Sequence, residues 1–181
     1  MKDLSLHILD IAENSIYAQA TEIVISIEEA ITKNWLIISV SDNGKGMEET
    51  FFKQVTSPFI TTRTNRKVGL GIPLLFQRTQ LCEGKMEIIS QQDLGTKIIA
   101  KMRYNHIDRV PLGDIALTIV TLISVHPEIA YRYEYCYEDK KFIFDTREIV
   151  KILDNISITE IAILKWLKAY IENNMKVLCK S

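Results

Sequence analysis

Three glycine-bearing turns in the first hundred residues constrain the fold more than any other feature of this sequence: Asp42-Asn43-Gly44-Lys45-Gly46, Gly69-Leu70-Gly71 and Gly95-Thr96. Glycine reaches positive backbone dihedrals without steric cost and lets a second backbone approach closely, so each turn belongs where a regular element ends. The segments between them read accordingly. Apolar residues at Leu4, Ile8, Ile11, Ala12, Ile16 and Ala20 have the three-to-four spacing of an amphipathic helix over 4–20. Glu22 to Glu29 and Trp35 to Ser41 alternate and are β-branched, and Thr32-Lys33-Asn34 suits a hairpin loop between them. After the first turn, 48–55 reads as a short helix and 56–68 as a polar segment resembling a lid. Gly69 to Pro73 opens a helix running to about Cys82, because proline fits a first helical turn, and Gly84 is expected as its C-cap. Lys85 to Ser90 and Thr96 to Tyr104 read as two further strands.

Beyond His106 the texture changes. Pro111-Leu112-Gly113 precedes a helix to about Ser124, followed by a strand over Ala130 to Tyr137, a second over Lys141 to Phe144, and a terminal helical pair. Tyr131, Tyr133, Tyr135 and Tyr137 fall on one face of the first of these strands, and Glu138-Asp139-Lys140 supplies its turn. The expected organisation is a domain over 1–105 with a C-terminal α/β extension over 106–181 for partner docking or regulation.

Composition narrows the options. Apolar residues make up 47% and charged residues 25%, the balance of a globular protein. With 22 basic and 23 acidic side chains, the overall charge gives no reason to expect nucleic-acid or anionic-membrane binding. The longest apolar stretch, near Ile115 to Val125, is broken by Thr118, Thr121 and Ser124, and no charged-then-apolar leader opens the chain. Cys82, Cys136 and Cys179 lack the paired spacing of a metal motif and read as reduced thiols, so a soluble cytoplasmic protein is expected.

The turns also carry chemistry. Backbone amides converging on such glycines can hold phosphate oxygens, and Gly69-Leu70-Gly71 opens a helix whose free amides favour an anion. Asp42, at a strand end, is suited to accept a hydrogen bond from an exocyclic amine such as that of adenine. Asn14 offers a hard carbonyl oxygen to magnesium. Asp10 lies one helical turn earlier on the same face, where it could orient or deprotonate a water.

Taken in order, Asp10-Ile11-Ala12-Glu13-Asn14-Ser15-Ile16-Tyr17-Ala18, Asp42 to Gly46, Pro58-Phe59-Ile60-Thr61-Thr62-Arg63 and Gly69 to Gly71 resemble the N box, first glycine box, pre-lid segment and second glycine box of the GHKL superfamily. That superfamily comprises histidine kinases, anti-sigma kinases, DNA gyrase, Hsp90 chaperones and mismatch-repair ATPases. The resemblance covers residues 4–104 and implies an α+β fold, a two-layer α/β sandwich of the Bergerat type. It implies ATP and Mg2+ as cofactors, with Asn14 on the metal and Asp42 on adenine. Gly44, Gly46, Gly69, Leu70, Gly71 and Thr96 would line the nucleotide, and Arg63, Arg66 and Lys67 would contact its phosphates from the lid.

Members that hydrolyse ATP usually carry Glu at the position of Asp10, so the shorter side chain here fits slow or absent turnover. The leading expectation is a stand-alone ATP-binding regulator that phosphorylates or grips a separate protein. The alternatives are a nucleotide-responsive subunit of a larger complex, or a self-sufficient ATPase with a lid-coupled homodimer. His7 reads as a packing residue. His106, Arg109 and Pro111 have the spacing of a histidine-kinase phosphoacceptor box with its acidic residue displaced, and a chance match is the expectation because they follow the ATP domain.

Overall fold

The computed structural model describes residues 2–46 and 71–180. The expected helix over 48–55 and the expected lid, with Arg63, Arg66, Lys67, Gly69 and Leu70, lie outside the described residues.

Helix α1 spans Leu4–Tyr17, with Asp3 as its N-cap accepting from the Leu6 amide. Its next two orphan donors are met from far along the chain, since the amides of Leu4 and Ser5 donate to the carbonyls of Pro111 and Leu112. The helix stops three residues short of the expected end. Gln19 takes a left-handed φ of 61°, and the amides of Gln19 and Ala20 fold back onto Ile16 and Ser15, the closure of a Schellman motif. Ala20 is buried all the same, which is why its side chain prolongs the helical apolar pattern past the helix.

Strands β1 (Glu22–Ala30) and β2 (Trp35–Asp42) form the expected hairpin. Helix α2 (Gly71–Leu81) leads into β3 (Lys85–Gln91) and β4 (Gly95–Arg103). The expectation for Gly84 needs correction. The left-handed residue closing α2 is Glu83, with φ 52°, while the Gly84 amide donates to Thr79 at 2.9 Å. Glycine is required one position later for space, because a Cβ on Gly84 would lie 2.1 Å from the Lys101 carbonyl oxygen.

Helix α3 (Ile115–Val125), strands β5 (Ala130–Tyr137) and β6 (Lys140–Asp145), and helices α4 (Thr146–Leu153) and α5 (Ile161–Lys180) complete the fold. The strands make one six-stranded sheet in the order β3-β4-β2-β1-β5-β6. Every neighbouring pair is antiparallel except β1 and β5, which run parallel from Glu22↔Ala130 to Glu29↔Tyr137. The sheet thus continues without a break from the first hundred residues into the last seventy-five or so.

Alternation decides the faces. Ile23, Ile25 and Ile27 of β1, Leu36, Ile38 and Val40 of β2, and Tyr131, Tyr133 and Tyr135 of β5 are buried beneath α1, α2, α3 and α5, which also pack on one another. The other face is half-buried or exposed, and on it the side chains of Lys101 and Arg103 stack on the Trp35 ring. This is the two-layer α/β arrangement the resemblance implies. Among the described residues no helix is long and apolar enough to cross a membrane.

Candidate nucleotide site

Asp42 is the last residue of β2, paired with Ile23 on one side and Thr96 on the other. Its carboxylate is held at both oxygens. Oδ2 accepts from the Ser15 hydroxyl at 2.6 Å and Oδ1 from the Gly44 amide at 2.9 Å. Each carboxylate oxygen has a second lone pair, so this fixation orients the group without exhausting it. Thr96 is buried beside it, its hydroxyl 2.8 Å from that of Ser90.

The backbone around Asp42 is approachable because side chains are missing. Gly95 adopts φ 105°, and a Cβ there would fall 2.0 Å from the Asp42 carbonyl oxygen. Gly46 adopts φ 66° and leaves no room for a Cβ against the Gln91 carbonyl. The turn is then tied on three sides. The Lys45 amide donates to Ala18 O and the Asp93 amide to Lys45 O, both at 2.8 Å. The Asn43 side chain accepts from the amides of Thr21 and Glu22 and donates to the Thr21 hydroxyl. The end of α1, the end of β2 and the β3–β4 turn therefore form one connected backbone unit.

A second contact joins α1 to the start of α2. Gly71 is buried flush against Asp10, whose Cβ would stand 2.6 Å from any Cβ placed on it. Asn14 follows Asp10 by one turn, and its Nδ2 is buried without a hydrogen-bond partner among the described residues. An interior amide hydrogen without an acceptor is costly, so this one fits a residue whose environment is completed by a bound group.

Of the residues read from sequence, the structure thus brings Asp42, Gly44, Gly46, Gly95 and Thr96 to the same end of the sheet, against the end of α1 that carries Asn14, and Asp10 one turn earlier on that helix contacts Gly71. Ser15 and Asn43 were missed as participants. Ser15 lies 27 residues from Asp42 and only the fold joins them, whereas Asn43 sits inside a motif where asparagine is already explained by the turn.

His106 lies in the turn after β4, at the strand's opposite end from Thr96, where its Nδ1 accepts from the Asp108 amide at 3.2 Å. The Arg109 guanidinium covers the Tyr104 ring. The alternating tyrosines of β5 pack inward: burial pushes the Tyr133 hydroxyl well above its ordinary pKa, as it does Tyr135, which donates to Glu29 at 2.6 Å.

Residues 2–106 match the family model for the histidine kinase-, DNA gyrase B-, and HSP90-like ATPase. The chain is 33% identical over 93 residues to a protein of Shewanella frigidimarina (strain NCIMB 400) named as a sensor protein, and 32% identical over 88 residues to sporulation kinase C of Bacillus subtilis (strain 168). These matches take in 50% and 49% of this chain but only 14% and 20% of those proteins. In fold it is similar to the N-terminal domain of a DNA repair protein, with a TM-score of 0.53 at 14% identity over 79% of this chain and 52% of the other. It is also similar to the Aquifex aeolicus MutL ATPase domain solved with ADP, with a TM-score of 0.50 at 12% identity over 84% and 69% of the two chains. The chain belongs to the histidine kinase-, DNA gyrase B- and HSP90-like ATPase family.

Proposed function

We propose that this chain is an ATP-binding regulatory protein that acts on a separate protein partner, by transferring a phosphoryl group to it or by gripping it in a nucleotide-dependent way. The observation that carries the reading is the Asp42 carboxylate, fixed by Ser15 and the Gly44 amide at a strand end cleared by Gly95 and Gly46. A carboxylate so held is suited to accept from an adenine amine. Gly44, Gly46 and Gly71 would give the nucleotide backbone access, Thr96 would stand beside the base, and Arg63, Lys67, Gly69 and Leu70 would serve the phosphates. Asn14 would hold Mg2+, which when bound neutralises phosphate charge. Asp10 would orient a water or leave it unactivated. Residues 106–181 are proposed as the docking or regulatory part, and a cytoplasmic setting goes with this reading. The relatives named as a sensor and a sporulation kinase favour the kinase-like branch.

A second reading is a nucleotide-responsive subunit of a larger complex with little turnover. It is favoured by Asp10, a short carboxylate packed against Gly71. One experiment separates the two. Purified protein is incubated with γ-labelled MgATP, and intact ATP, free phosphate and protein-bound label are resolved together. Label on the protein or an added partner supports phosphotransfer, intact bound ATP supports the subunit reading, and free phosphate lost in Asp10→Asn would instead make the chain an ATPase, with a homodimer as its working form. Failure to bind ATP at all would overturn the proposal.

A further inference from the structure

Strand β6 stands last in the sheet order, so one of its edges pairs with β5 and the other carries backbone donors and acceptors that no strand among the described residues meets. Such an edge pairs readily with another chain unless charge, proline or a bulge blunts it. The opposite edge, β3, is blunted in this way by its exposed Lys85 and Glu87. The β6 edge is apolar at its centre, where Phe142-Ile143-Phe144 stands between Lys141 and Asp145. Phe142 and Phe144 are buried on the helix face, and Ile143, which alternates with them, is 46% exposed on the other. On the helix face Tyr170 of α5 meets the Phe142 ring edge-on and stacks on Trp166, which is 50% exposed. Exposed aromatic rings beside an unpaired strand edge mark an interaction surface.

We propose that a second copy of this chain occupies this edge, with β6 pairing antiparallel to its counterpart across a two-fold axis at Ile143. The strand's own sequence selects that occupant. Residues directly opposite in an antiparallel pair point to the same face, and a two-fold at Ile143 sets Lys141 opposite Asp145 of the second copy, Phe142 opposite Phe144, and Ile143 opposite itself. Moving the register by two residues in either direction would set Lys141 or Asp145 against Ile143 instead. Lys141 already bonds Glu134 and Asp145 grips Arg147, so each flank becomes a network of four charges alternating in sign, and no lone charge is buried. Because α5 packs on β6, the same axis lays the two α5 helices side by side and turns their Trp166 and Tyr170 rings toward each other. Strands β1 and β5 separate β6 from β2, so the pairing lies apart from the Asp42 region and needs no nucleotide.

The test is sedimentation equilibrium of wild type, Ile143→Lys, Ile143→Glu and an equimolar mixture of those two variants, with circular dichroism to verify folding. Wild type should be dimeric at roughly 100 μM, with or without MgATP. Each variant alone should associate at least roughly tenfold more weakly, because apolar burial is lost on both copies and like charges stand directly opposite at the axis. The mixture should recover most of that loss, since lysine then faces glutamate, a result that only a residue opposite itself gives. Trp166→Ala should weaken association about tenfold as well. A monomeric wild type, a dimer that forms only with MgATP, Ile143→Lys dimers as tight as wild type, or a mixture no tighter than its components would each overturn the proposal. If the variants at position 143 do not fold, undiminished association of Trp166→Ala would do so.

Discussion

The two ends of the central hairpin's neighbourhood solve opposite packing problems. Where β2 meets β4, side chains have been removed: Gly95, Gly46 and Gly44 let backbone atoms approach to distances no Cβ would tolerate. Where β1 meets β5, the largest side chains fill the space, with Tyr131, Tyr133 and Tyr135 all at 1% exposure. Buried polar atoms without a partner among the described residues occur on both sides. On the filled side Tyr135 donates to Glu29 and Tyr133 to the Met175 sulfur, although the Tyr131 hydroxyl is unpartnered. The Asn14 Nδ2, next to Ser15 on α1, is buried without a partner among the described residues. The cleared region thus leaves its backbone open to close approach, and the filled region is packed by side chains. Stability and ligand binding should be separable by mutation along that division.

The largest expected effect is on the filled side. Tyr133→Ala would empty an interior ring site that contacts Phe142 and stacks near Tyr135, and should lower unfolding free energy by roughly 4 kcal/mol. Denaturant titration would read this, and nucleotide affinity of the folded fraction should be unchanged. A matching loss of affinity would dissolve the division.

Gly95→Ala is the counterpart on the cleared side. A φ of 105° and a 2.0 Å clash with the Asp42 carbonyl should cost about 3 kcal/mol and also displace the Asp42 carboxylate, so stability and nucleotide affinity should fall together. A folded variant with undiminished affinity would contradict the importance of that close approach.

A smaller effect belongs to the far edge of the sheet. The Asp145 carboxylate caps α4 at the Arg147 amide and grips the Arg147 guanidinium, which holds its pKa below the ordinary 3.8. Because the folded value is depressed, its contribution is present above that ordinary value and disappears as the pH falls through the folded one. Asp145→Asn should cost about 1 kcal/mol at neutral pH, less under acid, and nothing in nucleotide affinity. A difference from wild type that persists at the lowest pH where both fold would show that charge is not its source.

Much of the fold was legible because alternation and helical spacing report local geometry directly. The β5 strand was bounded correctly at Ala130 and Tyr137 from its tyrosines alone. Helix ends were harder, since the left-handed closures fall on Gln19 and Glu83, residues with no intrinsic preference that announces them. The parallel pairing of β1 with β5 was not legible at all. Alternation says which face a strand buries but not which strand, a hundred residues away, lies beside it. The candidate site residues were read from the order of their glycine turns, whereas the bond from Ser15 to Asp42 shows only once α1 is laid against β2.

The most direct test of the central claim is calorimetric titration of MgATP into wild type and Asp42→Asn, with thermal melts to verify folding. Asparagine can still accept from the Gly44 amide, so the turn should survive while one charge-assisted acceptor is lost. Wild type should bind saturably, and the variant should lose roughly 2–4 kcal/mol of affinity. Equal affinities in the two folded proteins would contradict it.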